Sequence, residues 1–138
     1  MTYDEKFEEI RNLIDQNPCS ADVHIVVQHF CFETWALGSR KIVRTNTSDS
    51  TLRGYLNFFD VTQEDPELLT PSPGSGINRS QFALVYLRKA INDKNPSKTY
   101  RKGSPGFLLN HGYYSQVKKR FDQTRHISSF SAFLNAFV

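Results

Sequence analysis

The stretch VHIVVQHF, residues 23–30, decides how this chain is read. Val23, Ile25, Val26 and Val27 are β-branched, and side chains of that shape suit a pleated, packed surface. The nearly unbroken apolar run predicts a strand covered on both faces, as in a parallel or mixed sheet. CFETWALG, residues 31–38, follows with no turn signal between them. Phe32, Trp35 and Ala36 fall on one helical face, and Gly38 is placed to end the helix. A strand running straight into a helix puts that junction at a strand's carboxyl end, the usual functional crevice of open α/β sheets. The expected fold class is therefore α/β, a helix-rich single domain over residues 1–138 with a small parallel or mixed sheet.

On the amino-terminal side, Thr2 and Glu5 have the spacing of a reciprocal helix cap, and Tyr3, Phe7, Ile10 and Ile14 recur at helical intervals. A helix over residues 1–17 follows, stopped by Asn17-Pro18 because proline disfavours helical geometry in the residue before it. On the other side, LRGYLNFFDV (52–61) reads either as a short helix or as an aromatic packing loop. QEDPELLTPSPGSG, with three prolines and two glycines, is a loop. Asn78 and Gln81 cap a long helix with Phe82, Val85, Tyr86 and Ala90 on one face, ended by Asn95-Pro96. SKTYRKGSPG (97–106) is a basic loop. In the helix YYSQVKKRF, Tyr114, Val117 and Phe121 form the inward face, with Lys118, Lys119 and Arg120 towards solvent. Ser128 or Ser129 starts a closing helix that carries Phe130, Phe133, Leu134 and Phe137.

The chain has 138 residues, eleven Phe, six Tyr and one Trp, enough apolar matter for a core and length for one ordinary domain. No run approaches a membrane span, and the acidic amino terminus is unlike a secretory signal. Two cysteines, Cys19 and Cys31, do not make a disulfide framework. A cytoplasmic location is expected, with no membrane partner. The net charge of +3 hides an asymmetry. Residues 1–20 hold five acids against two bases, whereas residues 79–125 hold eleven bases against two acids, Asp93 and Asp122. So basic a half beside so acidic a helix reads as a phosphate-binding surface for DNA or RNA, as a basic segment packed near that helix, or as an acidic helix that faces a partner.

His24, His29, Cys19 and Cys31 lack the spacing of a zinc site. No Walker loop, dinucleotide fingerprint or serine elbow occurs. Glu33, between Phe32 and Trp35, reads either as a metal ligand or general base at the strand's end, or as a helix-start carboxylate paired with Arg40 or Arg101. In the basic loop, Lys98, Arg101 and Lys102 can neutralise phosphates while Tyr100 stacks or hydrogen-bonds, and Lys118 and Lys119 extend that set.

The order VHIVVQHF, CFETWALGSRKI, FFDV with DPELL, a long helix, SKTYRKGSPG and a Phe-rich closing helix resembles the carboxyl-terminal portion of TOPRIM-like proteins of the OLD type, related to phage-defence nucleases. The resemblance covers most of residues 20–137, and QHFCFETWALGSRK is its most specific part. It implies a partial TOPRIM-like fold, Glu33 as a catalytic and metal-site carboxylate for Mg²⁺, and Lys98 and Lys102 on the phosphate side. Two-metal phosphodiester cleavage needs several carboxylates. The chain departs from the family in lacking an upstream Glu-bearing strand and an Asp-x-Asp. The resemblance thus implies a nuclease-related module that contacts nucleic acid but needs a protein partner to supply the missing acids. The other expectation is a non-catalytic protein-interaction subunit or inhibitor of a phage or defence system, burying the aromatic clusters at 55–59 and 130–137 against its partner.

Overall fold

The computed structural model describes residues 1–26, 31–109 and 112–136. Its elements are α1 (Tyr3–Gln16), α2 (Phe32–Ala36), α3 (Ser50–Phe58), α4 (Arg79–Lys94), α5 (Gly106–Leu109), α6 (Tyr113–Thr124) and α7 (Ser128–Asn135), with a 3₁₀ turn at Pro66–Leu68. The chain divides into two compact units, Met1–His29 with Ser129–Val138, and Phe30–Ser128.

The expected α/β class is overturned. Among the described residues there is no strand, only an isolated antiparallel bridge between Arg101 and Ser104. The sheet expected of a partial TOPRIM-like fold is therefore not formed among them. Val23 to Val26 have no regular structure, and Val23 is 49% exposed, which a strand covered on both faces would not allow. The rest of that expected strand, residues 27–30, lies outside the described residues. The physical reason is that β-propensity reports fit to a neighbouring surface. A strand's amides and carbonyls need a second strand, and no described segment offers one.

In the first unit, α1 forms through the cap that its sequence prescribes. Thr2 Oγ1 accepts from the Glu5 amide at 3.2 Å, and Glu5 Oε2 accepts from the Thr2 amide at 2.6 Å. Such a cap stabilises a helix by about 1 kcal/mol. The helix ends at Asn17, whose amide donates to the Ile14 carbonyl. On α7 the rings of Phe130 and Phe133 stack with centroids 5.9 Å apart.

The second unit holds the main core. α4 lies against α2 and α3, while α2 also meets the 3₁₀ turn and α6. The Asn78–Gln81 cap is reciprocal, with both hydrogen bonds at 2.9 Å. Because α4 meets two helices, its buried face is wider than the expected stripe: Phe82, Ala83, Tyr86, Leu87, Ala90 and Ile91 are all buried. The aromatic segment is helical as far as Phe58, with Asp49 capping the Leu52 amide at 2.9 Å. Tyr55 meets Phe82 edge-on at 5.4 Å and Tyr86 at 5.2 Å. Tyr86 donates its hydroxyl to the Phe59 carbonyl at 2.7 Å.

Helix α6 is turned relative to the sequence reading. Tyr113, Val117 and Arg120 are buried, while Tyr114 is 51% exposed. Both faces share Val117 at helical spacing, so periodicity alone does not choose between them. The choice carries a guanidinium into the interior, where the sequence reading had put Arg120 in solvent. Gly112, with φ of 63°, sets the left-handed turn that starts α6.

Candidate nucleic-acid interface

Glu33 sits on α2, a helix whose residues Glu33 to Ala36 are all buried, and is itself fully sealed from solvent. Its Oε1 accepts the Tyr100 hydroxyl at 3.0 Å, so neither Arg40 nor Arg101 is its partner. Its Oε2 and the Tyr113 hydroxyl are buried with no hydrogen-bond partner among the described residues. The site is thus a carboxylate flanked by two phenols. Burial, reinforced by the Glu33 carboxylate, pushes the Tyr100 hydroxyl well above its ordinary range. The Tyr113 hydroxyl is raised further by burial, with Tyr100 and Glu33 adding to it. Beside them, Cys31 Sγ and Thr34 Oγ1 share a hydrogen bond at 3.3 Å. The Tyr113 ring also lines a cavity of about 280 Å³ with Ile42, Ile91, Leu108, Lys41 and Lys94, and the Lys94 ammonium donates to the Lys41 carbonyl.

Mg²⁺ is held by carboxylates together with several waters in near-octahedral geometry. Glu33 does not fit that need: one oxygen is taken by Tyr100 and the other is sealed from water. Among the described residues no group of three or more His, Cys, Asp or Glu side chains could hold a metal ion. A partner's acids would not reach Glu33 without opening the core.

The basic residues fall into three settings. Tyr100 is buried, with its carbonyl accepting from Arg88 Nε at 3.1 Å, so it is no stacking platform. Lys98, Arg101 and Lys102 beside it are exposed, and none of them has a carboxylate within 4 Å among the described residues. Lys118 is bound to Asp122 one turn on, at 2.7 Å, and that hydrogen bond raises its pKa. Lys119 has no such partner.

Lys119 instead borders a polar pocket of about 130 Å³ with Arg40, Gln116, Arg120 and Gln123. Gln116, Lys119, Arg120 and Gln123 are spaced i, i+3, i+4 and i+7, which gathers them on one flank of α6. Arg40, from the turn after α2, reaches across. Its Nε donates to the Thr62 carbonyl at 3.2 Å and its Nη1 to Gln123 Oε1 at 3.2 Å.

Arg120 is 1% exposed. Its Nη2 donates to the Glu64 carbonyl at 2.7 Å and to His126 Nδ1 at 3.2 Å, while its Nη1 makes one long contact of 3.5 Å to the Gly38 carbonyl. An arginine cannot accept, so Nδ1 of His126 is the unprotonated ring nitrogen. Burial first, and then the nearby Arg40 charge, lower the Arg120 pKa to about 10. Asp65 lies close enough to oppose that shift, but its Oδ1 accepts the amides of Glu67 and Ile127, each at 3.0 Å. Arg120 therefore carries a buried positive charge held by neutral acceptors.

No family model, curated protein or solved structure matches this chain. Any functional reading rests on the chain's own chemistry. The sequence reading had singled out Lys119 but not Arg40, Arg120, Gln116 or Gln123 as parts of a phosphate site. The signal was the polar stripe at helical spacing on α6, masked by the run Lys118-Lys119-Arg120, in which three adjacent bases look alike.

Proposed function

We propose that this chain is a nucleic-acid-binding module that contacts phosphates through its basic second half. Arg40 and Lys119 form the principal phosphate contact, with the buried Arg120 charge behind them, and the exposed Lys98, Arg101 and Lys102 supply a second set of charges. The observation that supports this reading is Arg120, a sealed guanidinium at a pocket shared with two further cations and, among the described residues, no carboxylate within 4 Å. Burying a charge among neutral acceptors is costly, and placing Arg40 beside it adds repulsion. A bound phosphate relieves both, because arginine holds phosphate through paired, charge-assisted hydrogen bonds. No cleavage step is assigned, since the residues around Glu33 do not fit the metal that such a step needs.

Fluorescence anisotropy with a mixed-sequence oligonucleotide at low salt tests this reading. Binding should weaken steeply with salt, because each neutralised phosphate releases counterions. Arg40→Gln with Lys119→Gln should lower the affinity and flatten the salt dependence. An absence of binding at low salt, or binding indifferent to that pair of substitutions, would overturn the proposal.

A further inference from the structure

The pocket on α6 differs from the exposed loop in kind, and the difference bears on which phosphate it takes. The loop presents Lys98, Arg101 and Lys102 on an open surface, where an extended backbone of singly charged diesters can run past. The pocket is small, about 130 Å³, and one of its lining residues is the sealed Arg120. Three formal positive charges meet there.

Its donors are also under-used. Among the described residues, Arg120 Nη1 has only the 3.5 Å contact to the Gly38 carbonyl, and Arg40 Nη2 has no hydrogen-bond partner. Lys119 Nζ likewise has no hydrogen bond or ion pair among the described residues. Gln123 accepts from Arg40 through Oε1, which leaves its amide hydrogens to donate. Arg40, Lys119 and the Gln123 amide thus supply donors at one pocket, with the Arg120 charge behind them.

A phosphate monoester carries close to two negative charges at neutral pH and three strong acceptor oxygens, whereas a diester carries one charge and two free oxygens. The monoester is the better match to three cations and several directed donors. A chain end can also enter a small pocket that the middle of a strand must bend to reach.

We infer that this pocket receives the terminal phosphate monoester of a nucleic acid strand, an inference that rests on the nucleic-acid reading above. Arg40 holds the phosphate oxygens, Lys119 closes over them, Gln123 donates from the side, and the buried Arg120 charge lies behind them. The loop charges then meet diesters further along the strand.

The test uses one oligonucleotide sequence with an internal fluorophore, prepared with a terminal phosphate at the 5′ end, at the 3′ end, or with hydroxyls at both. At low salt, one of the phosphorylated forms should bind about tenfold tighter than the hydroxyl form. Lys119→Gln, an exposed change that leaves the core alone, should remove most of that preference, whereas Lys98→Gln with Lys102→Gln should weaken all three forms and keep it. Equal binding of all three forms would overturn the inference and leave the nucleic-acid reading standing. No binding of any form would remove both. A preference that survives both Lys119→Gln and Arg40→Gln would place the end elsewhere and overturn the pocket assignment. Displacement of the phosphorylated strand by a phosphoserine peptide at equal concentration would overturn it in favour of a phosphoprotein ligand.

Discussion

Tyr100 donates its hydroxyl to Glu33 Oε1 at 3.0 Å across 67 positions of sequence, with both side chains sealed from solvent. That bond fixes the basic loop to α2 by its one aromatic residue, and the Arg88 contact to the Tyr100 carbonyl holds the same point from α4. With Tyr100 turned inward, Arg101 and Lys102 on its carboxyl side remain exposed. The residue whose ring reads as a stacking surface for bases is a buried anchor that leaves its neighbours at the surface.

The strength of that anchor is measurable. Tyr100→Phe leaves Glu33 buried with neither oxygen hydrogen-bonded, and should destabilise the fold by about 1–3 kcal/mol. Adding Glu33→Leu removes the stranded acceptor as well, so the double variant should be more stable than the sum of the single effects. Urea denaturation of the four proteins reads the coupling. Strictly additive losses would mean that the two side chains do not depend on one another.

Gly38 is a second tightly determined position. A Cβ built there would meet Ile127 Cδ1 at 2.0 Å and the Trp35 carbonyl at 2.9 Å. Ile127 is fully buried and has little room to move. Gly38→Ala should therefore lower stability by roughly 1–3 kcal/mol through overpacking. An unchanged thermal midpoint would show that the Ile127 side chain can yield.

The helices were legible because their signals are local. Thr2 with Glu5 and Asn78 with Gln81 state where α1 and α4 begin, and Asn-Pro pairs state where they end. The strand reading failed because it needed a partner that no single stretch can declare. The site was legible only in part for a similar reason. Lys98, Arg101 and Lys102 are exposed as their composition implies, but Tyr100 looked like one of them until its distant partner was known. Whether Tyr113 or Tyr114 turns inward decides which of Lys118, Lys119 and Arg120 is buried, and the sequence is nearly symmetric between them. Arg40 approaches α6 from 76 positions before Gln116, a separation that helical periodicity does not report.

The link between Arg120 and His126 makes stability sensitive to acid. His126 has its pKa lowered from 6.5, by burial first and then by the Arg120 charge, with Arg40 adding to it and Asp65 opposing. Below 6.5 the unfolded chain binds the proton more readily than the folded one. The contribution is therefore complete above 6.5 and is lost as pH falls from there through the lowered folded value. Protonation would also turn Nδ1 into a donor facing the guanidinium. Urea midpoints should fall between pH 7.5 and pH 5, and His126→Asn, which keeps an acceptor without titrating, should flatten that fall. An equal slope in both proteins would assign the acid sensitivity to another group.

Lys118 and Lys119 provide the sharpest comparison, since they are neighbours of identical charge in different settings. Lys118 is neutralised locally by Asp122 at 2.7 Å, whereas Lys119 faces Arg40 and Arg120 across the pocket. Both are exposed, so replacing either by Gln should leave the urea midpoint nearly unchanged. If only net charge governed binding, the two substitutions would weaken nucleic-acid affinity equally. A phosphate seated in the pocket instead makes Lys119→Gln the more damaging, with the salt slope falling by about 1 for the lost contact. Salt titrations of both variants against one oligonucleotide decide it, and equal losses would locate binding in the general field of the basic half.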